Sequence, residues 1–339
     1  MNPITQNLLM AAAGSGAAAT IAIAHANSPY ISVYPWSSGF GAKYADPATL
    51  PGGFGDSVTF NPSGTAIAVA HDSFPNVSVY PWSSGFGTKY ADPATLPTGF
   101  GRSVAFSPDG ANIAIGHQSS PYISVYPWSS GFGTKYANPA TALPNAGTGI
   151  AFSPDGANIA IAHATSPYIS VYPWSSGFGT KYANPATLPA NTATGVAFNP
   201  SGTFIVVTHF GSPYITAYPW SSGFGAKYNQ LSILPAGTGN GVAFNPSGTV
   251  MAVAHATSPY ITAYLWSSGI GTKYANPATL PTGTGNGVAF SRDGANIAVA
   301  HETTPFVTVY QWSSGFGTKY ADPATLPAGT GYGVTFSPN

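Results

Sequence analysis

The sequence predicts an all-β protein: a seven-bladed β-propeller of four-stranded blades, its ring closed by the C-terminal strand completing the N-terminal blade. Two regularities carry this. His25, His71, His117, His163, His209, His255 and His301 each lie 46 residues from the next, and Lys43, Lys89, Lys135, Lys181, Lys227, Lys273 and Lys319 keep the same step. Within each copy, apolar residues alternate with period two, the mark of strands. A fixed period near 40–45 residues with several short strands per copy points to a propeller.

The copy Gly101–Pro144 shows each element in order. Ser103–Phe106 (SVAF) is a short β-rich run ending in Ser107-Pro108-Asp109-Gly110, where Pro presets φ and Gly closes the turn. Asn112–His117 (NIAIGH) alternates, with Ile113 and Ile115 opposite Ala114 and Gly116. Tyr122–Trp128 (YISVYPW) alternates again, and the turn Ser129–Gly133 leads to a weaker fourth strand, Thr134–Ala137. Both faces of each strand are apolar or small, as in sheets packed on both sides. Lys135 and Pro139 suit an outer edge protected against further pairing. Asp46, Asp92 and Asp322 alternate with Asn138, Asn184 and Asn276 beside these lysines, so no fixed ion pair is required.

The chain ends fit a closed ring. The first copy begins at a second strand within Ala17–His25, and Gly331–Pro338 is a first strand with nothing after it. Residues 17–339 therefore form the propeller and residues 1–16 an N-terminal arm. Leu8–Ala13 (LLMAAA) lacks the basic residues that precede a signal peptide's apolar run, so the arm is read as a docking segment, with Ile4, Leu8, Leu9 and Met10 as its assembly anchor.

Only 5 % of residues are charged, nine basic against nine acidic, where soluble domains carry about 25 %. Neither nucleic acid nor an anionic membrane is electrostatically favoured. No stretch is long and apolar enough for a membrane span, and without cysteine the redox compartment stays open.

The consensus run GVAFSPDGANIAIAH followed by YISVYPW resembles the first three strands of the WD40 family, over everything after Gly16. YPW stands where the family has Trp-Asp, so the family's side-chain network does not transfer. Tyr80–Pro97 (YPWSSGFGTKYADPATLP) is similar to repeats in WD40-like proteins encoded by tailed bacteriophages. That resemblance implies a non-enzymatic virion protein, a tail-associated or capsid decoration module. It would be located in the virion or otherwise outside the cell, with other virion proteins and possible host surface glycan as partners.

Candidate sites divide by geometry. Identical histidines on seven blades cannot converge on one metal ion, and are read as hydrogen-bonded structural groups. The turn carboxylate alternates between Asp109, Asp155 or Asp293 and Ser63, Ser201 or Ser247, which excludes a hard-cation ligand. No metal or cofactor is called for. Trp36, Trp82, Trp128, Trp174, Trp220, Trp266 and Trp312, amid Ser and Gly, are the candidates for a multivalent lectin; packing between blades is the competing use.

The turns at one end of the blades are nearly identical in all copies, whereas the other end varies. After the histidine stand Ala26, Asp72, Gln118, Ala164, Phe210, Ala256 and Glu302; before the first strand stand Asp56, Arg102, Thr148, Thr194, Asn240, Asn286 and Tyr332. Asp56, Arg102 and Tyr332 fall in three consecutive blades and are the candidates for binding at the tunnel mouth. An enzyme of the lactonase-like propeller type would need acids converging there, and Asp56 is the one acid available. The sequence therefore favours a binding platform over catalysis, with no catalytic residue assigned.

Overall fold

In the computed structural model, which describes residues 19–228 and 233–338, the chain forms seven antiparallel sheets and, among the described residues, no helix. The first sheet joins β1 (Thr20–His25) and β2 (Ile31–Pro35) to the last strand, β23 (Gly331–Phe336). The second holds β3 (Gly55–Phe60), β4 (Ala66–His71) and β5 (Val77–Pro81), and the third β6 (Gly101–Phe106), β7 (Asn112–His117) and β8 (Ile123–Pro127). Then come β9 (Gly147–Phe152), β10 (Asn158–His163) and β11 (Ile169–Pro173), followed by β12 (Ala193–Phe198), β13 (Phe204–His209) and β14 (Ile215–Pro219). The sixth sheet is β15 (Gly239–Phe244), β16 (Val250–His255), β17 (Ile261–Trp266) and β18 (Ile270–Lys273). The seventh is β19 (Gly285–Phe290), β20 (Asn296–His301), β21 (Val307–Trp312) and β22 (Phe316–Lys319). This arrangement is consistent with a seven-bladed propeller. Residues 1–16, including Ile4, Leu8, Leu9 and Met10, lie outside the described residues.

The expectation of four strands in every sheet is corrected. Five sheets have three strands, and their fourth element shrinks to a single bridge such as Trp128↔Phe132. The reason lies in the YPW tripeptide. Gly133 N–H donates to the Pro127 carbonyl at 2.8 Å, but Pro127 has no N–H to return the bond. Where Leu265 and Gln311 replace that proline, β18 and β22 form.

Neighbouring sheets pack through the small-residue stripe. Ala66, Ala68 and Ala70 of one sheet lie against Val104, Ile113, Ile115 and Tyr126 of the next. Trp128 closes that interface with edge-on contacts to Tyr90, Phe106 and Phe132 at 5.1–5.5 Å between ring centres, a geometry that adds about 0.5–1.5 kcal/mol per pair beyond burial.

The histidines are fully buried, and each pairs through Nε2 with a hydroxyl on the third strand, as in His25–Ser32 at 3.0 Å and His301–Thr308 at 2.9 Å. Burial is the main cause that lowers each one's pKa from 6.5 to about 4, so all seven are neutral at pH 7.

Candidate functional site at the strand bulges

The first strands β3, β6, β9, β12, β15, β19 and β23 all line one cavity of about 710 Å³. In each of them one residue is extra to the ladder. Gly55 pairs with His71 and Ser57 with Ala70, leaving Asp56 as a β-bulge; Arg102 and Tyr332 occupy the same place in β6 and β23. A bulge re-aims its side chain, here into the cavity. Glycine precedes the bulge in six sheets, and Ala193 in β12: a Cβ on Gly101 would lie 2.2 Å from the Asn76 carbonyl, and one on Gly55 2.4 Å from that of Tyr30.

Seven equivalent bulges divide into two groups. Thr148 donates its hydroxyl to the Ala193 carbonyl of the next sheet at 2.7 Å, and Thr194 does the same to Gly239. Asn240 and Asn286 reach the carbonyls of Gly285 and Gly331, both at 2.9 Å. These four side chains clamp one sheet to the next. At Tyr332, Asp56 and Arg102, in three consecutive sheets, the clamp is absent, and among the described residues no side chain donates to the corresponding carbonyls of Gly55, Gly101 and Gly147. The three side chains are left for one another and for the cavity.

Asp56 and Arg102, 46 residues apart, meet with Nη1 3.3 Å from Oδ2, and the Asp56 side chain is only 17 % exposed. Burial raises the Asp56 pKa to about 6, with Arg102 pulling it down and the charge of Asp72 pushing it up. Burial and then the Asp56 charge raise Tyr332, whose hydroxyl keeps its proton at neutral pH. Gln118 Oε1 stands 3.5 Å from Arg102 Nη2, and Phe210 forms part of the cavity wall. A carboxylate that ionises near neutral pH, beside a cation with spare donors, can take a proton and stabilise a developing negative charge.

The sequence placed Asp56, Arg102 and Tyr332 together, and the structure brings them to one cavity. The lectin candidates fare otherwise. All seven tryptophans are buried, at 4–6 % exposure, with Phe and Tyr packed edge-on against them, so they are interior inter-sheet residues without a face to offer a sugar.

No protein-family model matches the chain and no curated protein matches it. Solved structures do. The periplasmic gluconolactonase PpgL of Pseudomonas aeruginosa superposes with a TM-score of 0.70 at 14 % identity, over 94 % of this chain and 99 % of that one. A candidate 6-phosphogluconolactonase of Bacteroides uniformis gives 0.69 at 14 %, over 94 % and 99 %. Hydrazine synthase of Kuenenia stuttgartiensis gives 0.60 at 17 %, over 81 % and 80 %. These likenesses show a repeated all-β, 6-phosphogluconolactonase-like fold with seven sheets. They correct the expected virion adhesion or decoration role, since these neighbours are named as enzymes and none as a phage, tail or capsid protein. The non-enzymatic expectation is corrected with it. The sequence sets Asp56 and Arg102 one 46-residue step apart, and the packing of adjacent sheets turns that step into an ion pair.

Proposed function

We propose that the seven sheets are the blades of a propeller closed by β23 on β1, and that the protein is a hydrolase opening a lactone or related ester at the mouth of its central cavity. The observation that carries this is the Asp56–Arg102 pair on adjacent bulges, in a cavity lined by all seven first strands. The lactonase names among the fold's neighbours support the reaction class, although identities of 12–17 % carry no residue across.

The chemistry follows from the side chains. Water attacks the carbonyl carbon while Asp56 accepts its proton, and the charge left on the carbonyl oxygen is met by guanidinium N–H donors not used on Asp56. Collapse breaks the bond to the ring oxygen, which takes the proton from Asp56, giving the hydroxy acid. Tyr332, protonated at this pH, donates to a substrate oxygen and orients it.

The test is hydrolysis of δ-lactones, both glucono-δ-lactone and alkyl-substituted ones, followed as acid release above the spontaneous rate. Asp56→Asn should lower kcat/KM by about 10²–10⁴-fold. The wild-type profile should fall as pH drops through about 6, where Asp56 gains its proton. Equal rates for wild type and Asp56→Asn across lactones would remove the proposal.

A further inference from the structure

The repeat supplies its own control for the rim of this cavity. Two residues before each bulge stand Ala146, Thr192, Thr238, Thr284 and Thr330 in five sheets, but Phe54 and Phe100 in the two sheets that bear Asp56 and Arg102. Three residues after each histidine stand Ser28, Ser120, Ser166, Ser212, Ser258 and Thr304, but Phe74 beside Asp72. All three phenylalanines are exposed, Phe54 by 47 %, Phe74 by 74 % and Phe100 by 44 %. They lie on adjoining loops: Asp72 N–H donates to the Phe54 carbonyl, and Asn76 Nδ2 donates to Pro97 beside Phe100.

The exchange forfeits interactions. Thr192 and Thr330 donate to the carbonyls of Ala164 and Glu302 at 2.9 and 3.1 Å, bonds that Phe54 and Phe100 cannot make. A large ring left in water gains nothing in the free protein. Nor are the rings scattered, for the Arg102 guanidinium sits 5.7 Å from the centre of the Phe100 ring. Phe210, 52 % exposed, adds an apolar wall to the same cavity.

We infer that Phe54, Phe74 and Phe100 form an apolar subsite continuous with the Asp56–Arg102 pair, and that the substrate is a lactone or ester carrying an alkyl or aryl arm, not a bare polyol. This rests on the hydrolase reading and names its substrate class. The carbonyl lies at Asp56 and Arg102, and the arm runs outward across Phe100 toward Phe54 and Phe74.

The experiment compares kcat/KM for δ-valerolactone, δ-octalactone, δ-decalactone and glucono-δ-lactone. Each methylene buried on the rings should raise kcat/KM by about threefold to fourfold. Phe54→Thr with Phe100→Ser, which restores residues of the kind the other repeats carry, should flatten the series, so that kcat/KM no longer rises with chain length. Hydrolysis of glucono-δ-lactone with no chain-length dependence would overturn the apolar subsite and leave the hydrolase reading standing. If no lactone is hydrolysed, the hydrolase reading falls, and calorimetry with decanoate, a carboxylate on an alkyl chain, decides the subsite alone. Binding that weakens at least tenfold in Phe100→Ser supports it, and no binding overturns it. A concentration-dependent dimer abolished by Phe74→Ser would also overturn it, because the rings would then cover a second copy of the chain.

Discussion

The two arcs of the cavity mouth are built on the same bulge and differ in one respect. From Thr148 to Asn286 the bulged side chain is short, neutral and spent on the next sheet's carbonyl. From Tyr332 through Asp56 to Arg102 it is large or charged and leaves that carbonyl alone. Structure and chemistry compete for one position per sheet. A side chain that clamps is satisfied and inert, whereas one that does not clamp is available to a ligand and strained electrostatically, as the raised Asp56 pKa records.

The largest expected effect concerns what both arcs share. Each histidine's folded pKa of about 4 lies below its unfolded value of 6.5. The neutral ring therefore contributes stability that is present above pH 6.5 and is lost as pH falls toward 4. Each contributes about 3 kcal/mol, and seven together exceed the total stability of about 5–15 kcal/mol. Circular dichroism should show cooperative unfolding between pH 6.5 and 4 with uptake of several protons. A chain still folded at pH 4 with an unchanged melting temperature would contradict the burial of neutral imidazoles. The mouth responds to one proton near pH 6, so activity should decline over a broader range than the fold.

A smaller effect separates the arcs. Thr148→Val keeps the shape but leaves the Ala193 carbonyl without its donor, and should cost about 1–2 kcal/mol. Lactone turnover should hold within about twofold, since that hydroxyl is committed to backbone. Unchanged stability with lost turnover would place catalysis in the clamped arc instead.

Much of this was legible from the repeat. The 46-residue step, the first three strands, the small-residue stripe and the variable position before the first strand all follow from residue alternation. The bulge was not legible, because it depends on how Gly55 and Ser57 register against His71 and Ala70. Nor was the clamp, which spans 45 residues to a neighbouring sheet. The tryptophans misled because Ser and Gly beside them suggest exposure, while Trp128 turns inward onto Tyr90 and Phe106. The missing fourth strands had a readable signal, a proline at position 127 and its equivalents, broken only at Leu265 and Gln311. Phe54, Phe74 and Phe100 were equally visible as departures from Thr and Ser, yet none of the three lies at a position that hydrophobic periodicity weighs.

The most direct test is the stability of Asp56→Asn, which gives this bulge the residue found at 240 and 286. Asp56 titrates near 6 where an unfolded aspartate titrates near 3.8, so its ionised form weakens the fold above pH 6 by up to about 3 kcal/mol. Asparagine removes that charge and supplies a donor for the Gly101 carbonyl, as Asn240 does for Gly285. The account predicts a melting temperature a few degrees higher at pH 7.5, a gain reduced to about half by pH 5, together with the loss of turnover. A variant that melts lower than wild type at pH 7.5, or one that keeps full turnover, would contradict the claim that this arc gave up its clamps for a site.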